Sequence, residues 1–450
     1  MTHPREHWSS RLGFIFAAIG SAIGLGLLWL FPYTVGENGG CLFLITYMIC
    51  VVVIGIPVLI GELLMGRKSQ RAAIGAFVTL EPKKPFWKIG GWLGVLSSFL
   101  IMSFYSVIAG FGLSYILMSL TNVFKGMSPE QVNDVYDTLS TSGDIAIFWH
   151  FVFTAITMGI VFAGVRKGIE KWAKIMTRAL LVILVALFFY SIRLEGFGQA
   201  VDFIFAPNWS EFHFSSVLEA LGLAFFTLSL GQGIMISYGS YMDKNESIPR
   251  VALIVAVAVI VVAILVALTI FPVVFTFGYS PQAGPGLIFK TLPYLFAQLP
   301  GTLIISTTFF ILFVFTALTS SIPFIEVVAT NLMELLGWHR KKSVALTALG
   351  TFLFGIPSAL ALTSGMQGWT FIYGKDFLAT INGLVSAWFI PLGGLVTALF
   401  MGWVLERNLL CDEFHTKRAR SIGFTLWRLA VRWVVPVLIF LIIVQKSGIF

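Results

Sequence analysis

The stretch Gly20-Ser21-Ala22-Ile23-Gly24-Leu25-Gly26 lies in the middle of the first apolar span, residues 12–33. Glycines at 20, 24 and 26 suit a lipid-buried helix badly. Glycine weakens helix interiors and permits backbone angles that other residues avoid. Non-helical backbone at membrane depth persists only where protein or a water-filled cavity surrounds it. The stretch therefore reads as an unwound break facing a binding site. Close helix packing through small residues is the competing reading for one such cluster. A second cluster, Ser229-Leu230-Gly231-Gln232-Gly233, sits inside another apolar span far downstream. Paired interruptions in corresponding halves of a chain point to the site of a secondary transporter.

Composition agrees with a membrane protein. The 450 residues are 58% hydrophobic and 11% charged, whereas soluble domains carry about 25% charge. The apolar runs are long and unbroken, which predicts spanning helices and excludes an alternating barrel pattern. Eleven spans are expected, near 12–33, 41–65, 90–121, 146–164, 172–191, 214–240, 248–276, 300–335, 343–363, 376–405 and 424–445. Residues 282–297 read as a loop with a short helix. The fold class is thus all-α and integral to the membrane. Breaks in the first and sixth spans divide it into two five-helix repeats of opposite topology, about 12–191 and 214–405, with a peripheral helix at 424–445. A single transporter domain, 1–450, is expected, with no cleaved leader and no appended soluble domain.

The net charge of +8 does not point to nucleic acid, because of where it lies. With the N-terminus in the cytoplasm, 24 of the 29 Lys and Arg fall on the inner side, and only Lys125, Arg193, Lys290, Lys375 and Lys446 fall outside. That is the positive-inside pattern. It predicts a multi-pass protein of the inner (plasma) membrane with its C-terminus outside. Cys41, Cys50 and Cys411 have neither metal nor redox spacing and read as packing residues.

A helix break exposes N–H groups that attract anions and C=O groups that attract cations. The run Thr316-Ala317-Leu318-Thr319-Ser320-Ser321 adds hydroxyls at mid-membrane in the eighth span. Such hydroxyls bond back to their own helix or, opposite a broken helix, join an oxygen shell for a hard cation, by extension from other hard cations.

Several motifs resemble the neurotransmitter:sodium symporter family. They include Arg5-Glu6-His7-Trp8-Ser9-Ser10-Arg11-Leu12-Gly13, Gly24-Leu25-Gly26, Phe31-Pro32-Tyr33 and Glu37-Asn38-Gly39-Gly40. Gly55-Ile56-Pro57 with Glu62 and Gly66-Arg67, residues 167–174, residues 225–231, residues 317–321 and Pro391-Leu392-Gly393-Gly394 extend the match along the whole chain. The length is similar to that of short prokaryotic, eleven-helix members such as bacterial leucine and tryptophan transporters.

The resemblance implies one complete sodium site: the carbonyls of Gly20, Ile23 and Thr316 with the hydroxyls of Thr319 and Ser320. A second sodium site looks degraded, because Leu27 and Val259 stand where asparagines are usual. Sodium in an apolar socket would lose its hydration without compensation. One sodium and no chloride are therefore expected. The implied solute pocket comprises Ala22, Gly24, Leu25, Gly26, Ile101, Tyr105, Phe226, Thr227, Ser229, Gln232, Ser320 and Phe324. Gly24 replaces the aspartate of monoamine carriers, which favours a solute that brings its own carboxylate. Gln232 makes the pocket more polar.

The outer gate has lost its ion pair: Leu30 replaces arginine, and Asn382, or Asp376 in a shifted alignment, stands for its acidic partner. Tyr105 and Phe226 are expected to close the outer vestibule instead. Arg5, Trp8, Tyr241 and Glu334 match the inner gate, with Arg5 and Glu334 as its ion pair. Glu62 and Glu326 are intramembrane acids, read as structural hydrogen-bonding groups, with proton coupling as the alternative. The expected function is sodium-coupled symport of a neutral amino acid or derivative by alternating access. The rivals are a proton-coupled or uncoupled carrier and a non-transporting sensor. No enzyme constellation is present. The expected partners are the solute and the lipid bilayer, in a monomer or weak oligomer.

Overall fold

The computed structural model describes residues 6–281, 285–366, 368–370, 372, 374–414 and 422–446. Among these, nine continuous apolar helices are long enough to cross a membrane, and a bent pair makes a further pass. We label the passes α1 (Arg11–Ala22 and Gly26–Glu37), α2 (Cys41–Ser69), α3 (Pro85–Leu120), α4 (Gly143–Phe162) and α5 (Val165–Ser191). They continue with α6 (Phe214–Thr227 and Ile234–Gly239), α7 (Ile248–Thr276), α8 (Thr302–Leu336), α9 (Arg340–Ala359), α10 (Phe377–Val404) and α11 (Ile422–Gln445). Ten of the eleven expected spans are thus present; the sixth is represented by two shorter helices on either side of its glycines. Helix is the form that satisfies each backbone group within its own segment in lipid.

The interruptions fall where the glycines are. The first half of α1 starts on Ser10, whose hydroxyl accepts the Gly13 N–H. It stops at Ala22, and Ile23 turns to φ −88°, ψ 72°. The second half leaves at a 44° bend and opens with a π-helical turn, Gly26–Leu30. In α6, Ser229, Gly231 and Gly233 take φ of 54°, 70° and 71°. Left-handed backbone is uncommon for a residue with a Cβ, so Ser229 marks an imposed conformation.

Glycine also sets how closely the helices approach. A Cβ on Gly66 of α2 would lie 1.9 Å from the Ile236 carbonyl oxygen of α6, and one on Gly239 would lie 2.6 Å from the Leu63 oxygen. The backbones of α2 and α6 therefore touch. Helices α3 and α8 are central, with 78% and 67% of their membrane windows buried, against 28% for α11. The peripheral α11 is tied in by Trp427 Nε1, which donates to the Pro57 carbonyl of α2 at 2.9 Å.

Among the described residues, five short α-helices join the spans: Ala73–Leu80, Pro129–Thr141, Phe197–Phe205, Thr291–Gln298 and Arg407–Glu413. Only Thr291–Gln298 lies where a short helix was expected. Pro129–Thr141 is polar overall and carries a capping box between Ser128 and Gln131, a local signal that the search for apolar runs passes over. The three cysteines are buried and free.

Candidate functional site

The two breaks meet in the interior. The Ser21 carbonyl accepts hydrogen bonds from Ser229 Oγ of α6 and Ser320 Oγ of α8, each at 3.1 Å. The Ser21 and Ser229 hydroxyls are themselves 3.1 Å apart. The loosened α6 backbone is held by helices on two sides. Gly231 N–H donates to Glu62 Oε1 at 2.7 Å, and Ser98 Oγ donates to the Gln232 carbonyl at 2.7 Å. Groups freed from the helical ladder are thus satisfied by neighbours, as burial demands.

A cavity opens between the breaks. Its walls are Ser21, Ala22, Gly24, Leu25, Gly26, Tyr105, Phe226, Thr227, Ser229, Ser320 and Phe324. The expected pocket is therefore assembled except for Ile101 and Gln232, which are buried but off the wall. Ser21 was missed; its place inside the quoted glycine stretch was the available signal. The walls close to leave a cavity of only about 10 Å³. A solute of amino-acid size enters only if they part.

Local chemistry at the cavity is mixed. Leu25 N–H donates to Tyr105 Oη at 3.3 Å, so one donor of the first break is held by a hydroxyl that a carboxylate can displace. The Tyr105 and Phe324 rings meet edge to face at 5.7 Å. The Phe226 ring covers Gly26, where a Cβ would lie 2.6 Å from it.

Beside the cavity, Gly20 packs directly on Thr319: a Cβ there would lie 3.1 Å from Thr319 Cβ and 2.5 Å from Thr177 Oγ1 of α5. Thr319 Oγ1 donates to the Thr316 carbonyl at 3.0 Å. With their hydrogens on carbonyls, the Thr319 and Ser320 oxygens keep lone pairs for a cation. An all-oxygen set of this kind suits a hard ion. Sequence reasoning did not pick out Thr177.

Leu27 and Val259 are fully buried in apolar surroundings. The Thr227 hydroxyl is engaged by Tyr47 Oη at 2.8 Å and by its own helix, donating to Leu223 O at 2.9 Å. Leu30 and Asn382 are both exposed. Asp376 caps α10, accepting the Ala379 N–H at 2.8 Å.

The opposite end of the site also holds an ion pair that the expected gate does not include. Arg5 lies outside the described residues, and Glu334 accepts the Ala72 N–H at 2.8 Å. At this end Arg340 pairs with Glu326, at 2.5 Å. Tyr241 Oη donates to Glu326 Oε1 at 2.6 Å, and Arg340 also donates to the Val161 carbonyl. Trp8 seals the same region, with its indole donating to the Tyr238 carbonyl and its amide to the Tyr241 carbonyl. Arg340 had been read only as one positive charge in an inner loop. An acid inside a span needs a cation nearby, and Arg340 is the first arginine after Glu326.

A model of the sodium:neurotransmitter symporter family matches residues 5–129 and 127–449. The chain belongs to this family. Among relatives of this family, it is 35% identical to the sodium-dependent transporter YhdH of Bacillus subtilis over 443 residues, covering 98% of each chain. It is 29% identical to the sodium-dependent transporter MJ1319 of Methanocaldococcus jannaschii, covering 94% of this chain and 86% of the other. The crystal structure of MhsT in complex with L-phenylalanine superposes with a TM-score of 0.92 at 38% identity, over 98% of this chain and all of that one. Family membership makes the chain a multi-pass membrane transporter for a small molecule, not an enzyme.

Proposed function

We propose that the protein carries out sodium-coupled uptake of a neutral amino acid or derivative by alternating access, with one sodium per cycle. The observation that carries this reading is the joining of two helix breaks beside the Gly20, Thr319 and Ser320 oxygens. The site holds Gly24 against Ser320, so no carboxylate faces a solute amine there. A solute that supplies its own carboxylate finds the N–H groups around Leu25 and the Tyr105 hydroxyl. The L-phenylalanine bound by MhsT supports that class of solute.

One sodium follows from Leu27 and Val259. Both are buried and aliphatic, and the Thr227 hydroxyl beside that region already has two partners. A desolvated cation would find no shell among the two aliphatic side chains. The same poverty of polar groups argues against chloride. In this reading the Arg340 face is cytoplasmic, the C-terminus is outside, and residues 12–191 and 214–405 are the inverted repeats.

Uptake by proteoliposomes tests the proposal. An imposed sodium gradient, with potassium as control, is expected to drive concentrative uptake with a sodium Hill coefficient near one. Uptake indifferent to sodium overturns it. Glu62 Oε2 is buried and unpartnered, which supports a proton-coupled carrier as the second reading. Accumulation driven by a pH gradient without sodium, abolished in Glu62→Gln, would establish that alternative.

A further inference from the structure

In the proposed cycle the ion and the solute occupy neighbouring places, yet no second sodium is there to touch the solute. Coupling still requires each ligand to alter the affinity of the other. Something in the protein must carry that effect.

We propose that Ser21 is the positioning residue through which the ion and the solute sense each other. Its peptide oxygen takes two hydroxyl donors at 3.1 Å, one from each side of the site. Ser320 belongs to the oxygen set beside Gly20 as well as to the cavity wall, and Ser229 lines the same cavity from α6. Ser21 Oγ completes the link by meeting Ser229 Oγ at 3.1 Å. All three serines are at most 4% exposed, so water competes little for these bonds.

The backbone explains why such a link matters. Ser21 sits in the last turn of the first half of α1, just before the helix ends. Ser229 holds the left-handed angle at which α6 comes apart. The Ser21 carbonyl at the end of its helix and the α6 break both depend on side chains of other helices to hold them. An ion bound between α1 and α8 fixes the Ser21 peptide against Ser320. That peptide, with the Ser21 hydroxyl, then fixes Ser229 before the solute arrives. The ordering cost of the α6 break is met by the ion, and the solute binds more tightly for it. Each hydroxyl keeps its hydrogen throughout: Ser320 and Ser229 donate to the carbonyl while their oxygens face outward to the ligands.

The inference rests on the sodium-coupled reading, and the test separates the two. Solute affinity is measured on the purified full chain at zero and saturating sodium, using L-phenylalanine and other neutral amino acids as probes. For the native chain, sodium is expected to raise affinity by a factor of roughly 5–150, the usual range of coupling. Ser229→Ala removes a donor to the Ser21 carbonyl, and there the factor is expected to fall to below about a third of the native one, while sodium alone still stabilises the protein. Ser21→Ala keeps the carbonyl, loses only the hydroxyl contact and is expected to lower the factor less. A merely structural lesion lowers affinity equally with and without sodium and leaves the factor unchanged. The double variant, measured in the same way, is expected to lose no more than Ser229→Ala alone. The native factor persisting in Ser229→Ala overturns the bridge. If Ser21→Ala does not fold, Ser229→Ala decides alone. A native chain whose solute affinity ignores sodium overturns the proposed function itself, and the bridge with it.

Discussion

At the scale of single residues, the oxygen pocket and the strained glycines make different demands. Thr319→Val keeps the shape and removes one hydroxyl. We expect it to abolish the rise in melting temperature that sodium gives over potassium, with the potassium value nearly unchanged. A full sodium response in that variant would count against the site. Gly231 has φ +70°, and a Cβ there would lie 2.3 Å from the Ile390 carbonyl oxygen. Gly126 has φ +79° with nothing within 4 Å. Gly126→Ala is therefore expected to cost only about 1 kcal/mol, the conformational penalty. Gly231→Ala adds a backbone collision and is expected to cost several times more, read as lost monodisperse yield or a much lower melting temperature. Much of this was legible in sequence, because glycines in an apolar run are conspicuous. Ser21 was not, since a serine near a helix end looks ordinary until its peptide is seen to serve two other helices.

Between elements, the contacts that matter are polar groups crossing helix boundaries. Glu326 is fully buried, and the Arg340 side chain is 15% exposed. Removing one member of a buried pair strands the other and costs about 3–5 kcal/mol. Arg340→Ala is expected to lower stability by that order. Adding Glu326→Gln should recover part of the loss, because the stranded charge is gone. An additive double variant would rule out direct pairing. The α4–α9 contact offers a second test. Its antiparallel register is pinned by Arg340 on the Val161 carbonyl and by His150 Nε2 on the Phe352 carbonyl at 3.0 Å. Between these anchors, the Thr154 and Thr347 hydroxyls are buried and without protein partners. Buried polar atoms of this kind hold ordered water. An experimental density map is expected to show water in this seam, and a dry seam would contradict the register. Sequence periodicity locates such helices but does not pair them. That is why Arg5 and Glu334 were matched by family pattern, while the Arg340–Glu326 pair needed three-dimensional proximity.

Across the whole molecule, the number and order of the membrane passes were readable from hydropathy, because lipid leaves the backbone few options. The short helices between passes were mostly invisible to that reading. Ala73–Leu80 is apolar but too short to span, and Pro129–Thr141 is too polar. Both are stabilised by the bundle they lie on. The pocket walls were legible through the family motifs, but their closeness was not. That tightness implies that the solute is admitted by motion of the walls.

The missing side chains at Gly66 and Gly239 have a mechanical corollary. With α2 and α6 in backbone contact and Glu62 bound to Gly231, the pair cannot shear without breaking both. They are expected to move as one unit. Spin labels at exposed Lys68 and Asp243 are expected to keep a constant separation when sodium replaces potassium. A label at exposed Arg178 on α5 should change its distance to Lys68. A side chain as small as a methyl, placed at position 66, would collide with the Ile236 carbonyl and prise the two helices apart.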